Sequence, residues 1–206
     1  MSGLYSIKPW FVRRLRRLED FLVEHRVSPD TLSVAAVGVS VAAGAALAAG
    51  GILSEPLLWL VVPPLGVVRL ALNALDGAVA RRIGDGRPFG EVVNEMADRL
   101  ADVAMLAPLA AVVEPALAFS ALTCALLASA AGCAGRAVTG RRIAGGPMGK
   151  ADRVAVIAIA GAAAVAASSP VPFEVAAWVI AAGSVLTTGL RLGSLSREEV
   201  AADAQR

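Results

Sequence analysis

Six stretches of this chain, about residues 31–53, 56–83, 88–112, 115–138, 150–168 and 171–193, are apolar over close to the length of a bilayer core. That core is about 30 Å thick and takes roughly 20 residues of α-helix. The predicted fold class is therefore all-α integral membrane, with six transmembrane helices. Composition agrees: 57% of the 206 residues are apolar and 17% are charged, against roughly 25% charged in soluble domains. The mean hydropathy is +0.68. Aromatic residues make up only 4%, while Ala and Gly are abundant. Small residues let transmembrane helices approach closely, which predicts a compact bundle. Gly38/Gly44 and Gly132/Gly135 offer faces for a homodimer, and intramolecular or lipid packing accounts for them equally well.

The charges set the predicted orientation. The nineteen Lys and Arg fall in the N-terminal segment, around 81–87, across 136–153, at the C-terminal end, or on the second and third spans as Arg69 and Arg99. The alternate connections, near 51–56, 112–116 and 168–174, carry only Glu55, Glu114 and Glu174. Positive-inside logic then puts both termini and the 82–89 loop in the cytoplasm of a multi-pass inner (cell) membrane protein. Spreading the positive charge over several short loops does not make a nucleic-acid surface.

Residues 1–27 read as a cytoplasmic amphipathic juxtamembrane segment, residues 28–194 as the six-helix transmembrane domain and residues 195–206 as a charged cytoplasmic tail. In the first, Trp10, Phe11, Leu15, Leu18, Phe21 and Leu22 alternate with Arg13, Arg14, Arg16 and Arg17, and Ser28-Pro29-Asp30 breaks the helix. The start is polar and basic without an apolar core, so no cleavable signal peptide is expected. Cys124 and Cys133, nine residues apart in one apolar stretch, are too distant on one helix to pair and are expected to be buried thiols.

The second and third spans carry polar groups at membrane depth, which are costly and mark a functional site by default. At 100° per residue, Arg69, Asn73, Asp76, Gly77, Ala80 and Arg81 fall within an arc of about 140° on one helix. On the next, Gly90, Asn94, Asp98 and Asp102 advance by i, i+4, i+8, with Glu91 and Glu95 beside them. A short loop joins the two, so they are expected to pack antiparallel with polar faces opposed. Facing rows of oxygen donors suit hard divalent cations such as Mg2+ or Mn2+, and the gaps at Gly77, Ala80 and Gly90 leave room for a phosphorylated ligand. A polar helix–helix contact, with Asp76 and Asp98 paired to Arg69, Arg81 or Arg99, is the plainer alternative.

The spacing resembles the signature of the CDP-alcohol phosphotransferase (CDP-alcohol phosphatidyltransferase) family, D-x2-D-G-x2-A-R-x8-G-x3-D-x3-D, and the layout is similar over roughly residues 28–190. The resemblance implies a phospholipid-biosynthetic transferase that is divalent-metal dependent. Such an enzyme moves a phosphatidyl-type group from CDP-diacylglycerol or a related CDP-lipid to a small alcohol and releases CMP. Carried over by position, Asp76 is a metal ligand that also borders the CDP moiety, with Gly77, Ala80, Arg81 and Gly90. Asp98 is a metal ligand and the base that deprotonates the acceptor hydroxyl. The first and third signature aspartates are Asn73 and Asn94 here, which keep an oxygen donor but bring no charge. Glu91, Glu95 and Asp102 are the acids placed to compensate.

Arg136, Arg141, Arg142, Lys150 and Arg153 cluster around the connection between the fourth and fifth spans, with Lys150 and Arg153 one turn apart at a helix start. Cations at a helix N-terminus attract anions. Arg136, Lys150 and Arg153 thus point to an acceptor that bears phosphate, such as inositol phosphate or glycerol phosphate, rather than serine or choline; topology-setting charge explains them as well. Two rival functions remain. One is a catalytically silent family member that binds nucleotide-lipid or partners. The other is a small transporter, which the almost wholly apolar fourth to sixth spans disfavour.

Overall fold

The computed structural model describes residues 14–203 apart from Arg142 and Ala144, with side chains as far as Ser196. Trp10, Phe11, Arg13 and Arg142 lie outside the described residues. Every regular element among the described residues is helical: α1 (Arg16–Glu24), α2 (Pro29–Ile52), α3 (Val62–Ile83), α4 (Pro88–Leu106), α5 (Pro115–Thr139), α6 (Lys150–Ala167) and α7 (Val171–Asp203). Short 3-10 turns, Pro56–Val61 and Ala107–Ala111, precede α3 and follow α4. Among the described residues four segments are long and apolar enough to cross a membrane: Pro29–Ile52, Pro56–Ile83, Pro115–Thr139 and Val171–Ser196. The sequence reading had six. α4 and α6 are helices where it placed them, but α4 carries Glu91, Glu95, Asp98, Arg99 and Asp102, and α6 opens on Lys150, Asp152 and Arg153.

The helix ends follow local chemistry. Ser28 caps α2 by accepting a hydrogen bond from Thr31 N at 3.1 Å, with Pro29 in the first turn where no amide hydrogen is needed. Glu114 and Pro115 do the same for α5, the Glu114 carboxylate accepting from Leu117 N at 3.0 Å. Gly84 ends α3 in the left-handed region at φ 67°, a conformation open to glycine at little cost. Asp152 accepts from Gly149 N at 2.9 Å and fixes the start of α6.

The two motif helices meet mainly through Arg69 of α3, which reaches Asp102 and Met105 of α4 at 2.7 and 3.1 Å. Both pack against α2, which contributes the wall between them, while α3 also packs on α6 and α5 packs on α7. Glycine makes the α2–α4 approach possible: a Cβ on Gly44 would overlap the Ala104 carbonyl oxygen. Gly44→Val is therefore expected to destabilise the protein by about 1–3 kcal/mol, the cost of overpacking a close contact. A lowered unfolding midpoint of the detergent-solubilised protein checks it, and an unchanged midpoint would contradict the packing. Gly132 and Gly135 likewise face Arg191, Ile143 and Leu195 of the same chain, whereas Gly38 has no neighbour within 4 Å.

One apolar core runs through the bundle around Leu47, Trp59, Met105, Leu109, Ile157, Phe173 and Ile180. A smaller one holds α1 in place, where Leu22 and Val23 meet Leu32, Leu75 and Val79. Arg82, at the end of α3, pairs with Asp20 and, at 3.6 Å, with Glu19 of α1. Outward-facing Val34, Val67, Leu127, Ile159 and Trp178 are more than half exposed, as expected when lipid rather than water is the solvent.

Candidate active site

Because α2 holds α3 and α4 apart, an open space remains at their loop-side ends. It is a cavity of about 350 Å3, lined on α3 by Asp76, Gly77, Ala80 and Arg81 and on α4 by Gly90, Glu91, Asn94 and Glu95. Asp30 and Ser33 close it from α2, Asp85 and Arg87 from the loop, and Arg136 from α5. Six of the eight signature positions meet here. A second cavity of about 510 Å3 adjoins it and shares Glu91, Glu95 and Arg136 as lining. Asp98 faces this second space, with Arg99, Ser129, Cys133, Lys150, Arg153 and Arg191. Asn73 lines neither cavity; its Nδ2 is buried without a hydrogen-bond partner.

Asp76 is 4% exposed and accepts a hydrogen bond from Ser33 Oγ at 3.3 Å. Its other oxygen lies against the following amide, Gly77 N. Asp98 is 5% exposed and accepts from Lys150 Nζ at 2.6 Å. Lys150 and Asp98 both lie near enough to Asp76 to act on it electrostatically. Gly77 leaves its space to Arg81: a Cβ there would meet Arg81 Nη1 at 3.3 Å. Gly90 is bordered by Asp30, whose Oδ1 would lie 3.5 Å from an added Cβ.

The acids expected to compensate for Asn73 and Asn94 are each committed elsewhere. Glu91 takes Arg136 Nη2 on both oxygens at 2.7 Å, and Glu95 takes Arg99 Nη2 at 2.5 Å. Asp102, 1% exposed, is clamped by Arg69 Nη2 at 2.7 Å and Arg153 Nη2 at 2.5 Å. It shares a helix face with Asp98, but one turn deeper it meets cations from α3 and α6 instead of the cavity. Arg153 also donates to Ser129 Oγ at 3.1 Å and to the Met148 carbonyl at 3.3 Å. Of the three proposed acceptor-side cations, Arg136 and Lys150 are thus partly buried ion-pair partners, and Arg153 is 3% exposed and bound from several sides. Arg141 stands in the loop, exposed, its backbone N–H donating to Thr139 Oγ1 at 3.3 Å.

The 84–87 loop is held by charge. Asp85 accepts from Arg87 Nε and Nη2, both at 2.9 Å, and from Arg87 N at 3.2 Å, and Arg87 Nη2 also reaches Asp30 at 3.1 Å. These donors hold the Asp85 carboxyl below the ordinary carboxylate range. A lowered value means that the contact is complete at neutral pH and fades only as acidity passes through that value.

Arg191, Cys133 and Ser33 were not anticipated as site residues. Arg191 donates to the Gly145 carbonyl at 3.1 Å and to the Ala128 carbonyl, which ties α7 to the loop before α6. A lone arginine at the end of an apolar run was the available signal. Cys133 and Cys124 are free thiols. Cys133 is more than a packed thiol, since its Sγ lies 2.9 Å from Arg99 Nη2 and 3.3 Å from Glu95 Oε2. The loop before α6 is fixed by Gly146, at φ 97°, against Thr187, whose Oγ1 accepts from Met148 N at 3.0 Å.

Among the described residues no three Asp, Glu, His or Cys side chains converge closely enough to hold a metal by themselves. The lining of the first cavity offers a hard cation the Asp76 carboxylate and the Asn94 amide, while Asn73 sits one turn before Asp76 on α3 and lines neither cavity. No hydrogen bond at Nδ2 holds the Asn73 amide in one orientation, so its oxygen and nitrogen can exchange places by a half-turn of the side chain.

The model of the CDP-alcohol phosphatidyltransferase family matches residues 26–190. Inner membrane protein YnbA of Escherichia coli is 31% identical, over 91% of this chain and 92% of that one. A phosphatidylinositol phosphate synthase of Mycolicibacterium smegmatis is also 31% identical, over 91% and 86% respectively. In fold, the chain is similar to the crystal structure of Mycobacterium tuberculosis phosphatidylinositol phosphate synthase in complex with manganese and citrate, with a TM-score of 0.72 at 22% identity over 87% of both chains.

Proposed function

The chain belongs to the CDP-alcohol phosphatidyltransferase family, and on that premise we propose that it moves the phosphatidyl-type group of CDP-diacylglycerol, or a related CDP-lipid, to a phosphorylated polyol and releases CMP. The observation that carries this reading is the pair of adjoining cavities. One is lined by the signature residues Asp76, Gly77, Ala80, Arg81, Gly90 and Asn94, the other by Asp98 with Arg136, Lys150, Arg153 and Arg191, and Glu91, Glu95 and Arg136 line both.

In this reading Gly77, Ala80 and Gly90 give the CDP moiety close access to the backbone, and Arg81 faces its phosphates. Mg2+ or Mn2+ belongs at Asp76, with Asn73, Asn94 and Asp98 completing the signature pattern, and when bound it takes up negative charge on the pyrophosphate. Asp98 receives the proton of the acceptor hydroxyl as its oxygen bonds to the lipid-side phosphorus. The bridging oxygen then leaves with CMP. The basic cavity draws the acceptor's phosphate, for which inositol phosphate and glycerol phosphate are the natural candidates. The relatives named phosphatidylinositol phosphate synthases support the first.

Six spans, with α4 and α6 crossing beside the four more apolar segments, and cytoplasmic termini complete the proposal. The arginines of the 81–87 loop support that orientation. A homodimer is retained only through the open face at Gly38.

Purified protein with labelled CDP-diacylglycerol, Mg2+ or Mn2+, and inositol phosphate, glycerol phosphate, inositol, serine or choline tests the proposal. CMP release is expected with a phosphorylated polyol and to fall at least tenfold with serine, choline or free inositol. Equal rates with serine would remove the acceptor assignment. One observation favours a second reading, a silent binder of nucleotide-lipid: Asp98 is already engaged by Lys150. Tight CDP-diacylglycerol binding without CMP release from any acceptor would select it.

A further inference from the structure

The number of metal ions at this site follows from its charges, and the count below rests on the function proposed above. Four signature carboxylates would neutralise two divalent ions. Here two of the four positions are amides, and every other acid around the first cavity has an arginine partner: Glu91 with Arg136, Glu95 with Arg99, and Asp30 and Asp85 with Arg87. Asp102 is withdrawn behind Arg69 and Arg153. Asp30 and Asp85 share the one Arg87, and the negative charge this leaves over is matched by Arg81, which lines the same cavity, so no net charge remains among them to balance additional positive charge.

Lys150 changes the sum further. Its ammonium lies 2.6 Å from Asp98 Oδ2, on a carboxylate whose side chain is 6% exposed. A metal ion bonded to the same carboxylate would stand beside that ammonium with little water between them, and like charges repel strongly there. Two ions would bring four positive charges and Lys150 a fifth, against only Asp76 and Asp98. One ion brings two, and with Lys150 leaves a single excess charge that the substrate pyrophosphate more than offsets.

We infer that the site holds one divalent ion rather than two, carried by Asp76 with the amide oxygens of Asn73 and Asn94, while the Lys150 ammonium takes the second ion's place against Asp98. Asn73 lies one helical turn before Asp76, and no hydrogen bond at its Nδ2 opposes a half-turn of the amide that would bring its oxygen round toward an ion held there. Lys150 then has two tasks: it holds the Asp98 carboxylate in place, and it spares the site a metal that the chain cannot neutralise.

The test is a Mn2+ titration of the full chain in lipid nanodiscs with saturating CDP-diacylglycerol, read by electron paramagnetic resonance. One bound Mn2+ per chain, with the spectrum of an isolated ion, is expected. Two ions per chain with a spin-coupled spectrum, or no bound Mn2+, would overturn the inference. The double variant Asn94→Asp, Lys150→Met removes the obstacle and restores a ligand charge, so it is expected to take up a second Mn2+. A count that stays at one there would overturn the role given to Lys150. CMP release measured on the same samples separates the two proposals: release with two ions refutes the count alone, and one ion without release refutes the function alone.

Discussion

Replacing Asp102 with leucine is expected to cost the folded protein about 3–5 kcal/mol, the penalty for leaving a buried charge without its partner. Arg69 and Arg153 both end on this carboxylate, at 2.7 and 2.5 Å, and all three residues are at most 3% exposed. Without it two guanidiniums would face each other in the bundle interior, and their Nε atoms already lack partners. Thermal unfolding of the detergent-solubilised protein reads the loss directly. The triple variant Asp102→Leu, Arg69→Met, Arg153→Met removes the whole charge cluster and is expected to recover most of that stability, since apolar replacement of a buried ion cluster is close to neutral. A single variant as stable as the parent would mean that water or lipid headgroups reach the cluster.

This cluster also marks the limit of what could be read from the chain. Helix positions were legible because apolar length and end signals act locally: Ser28-Pro29 starts α2, Gly84 stops α3 and Pro88 starts α4. The signature residues were legible for the same reason, since i, i+4 spacing alone puts Gly90, Asn94 and Asp98 on one face. Pairing between distant helices has no local signal. Arg153 is 51 residues from Asp102 and Arg136 is 45 from Glu91, so the committed acids looked free by periodicity.

The splayed motif helices illustrate the same limit. A short loop predicts neighbours, but α3 and α4 meet mainly through Arg69 on Asp102 and Met105, while α2, which Gly44 lets approach α4 closely, is wedged against both. That wedge opens the cavity. A directly packed hairpin would have closed it, so the function proposed for the motif depends on glycines of a helix that carries none of the signature.

Replacing Asp98 with asparagine is expected to lower the rate of CMP release by about 10^2–10^4-fold, the usual weight of a general base, or roughly 3–5 kcal/mol of barrier. The substitution keeps shape and burial and removes the proton acceptor, so CDP-diacylglycerol binding is expected to stay within about threefold of the parent. Lys150 separates the roles further. In the parent it holds the Asp98 carboxylate at 2.6 Å, and Lys150→Met leaves the base in place but unheld. A smaller loss of rate is expected there, accompanied by a change in Mn2+ stoichiometry or affinity that Asp98→Asn alone does not reproduce. An Asp98→Asn enzyme that releases CMP at the parental rate would place the proton elsewhere, with Glu95, which lines both cavities, as the next residue to replace.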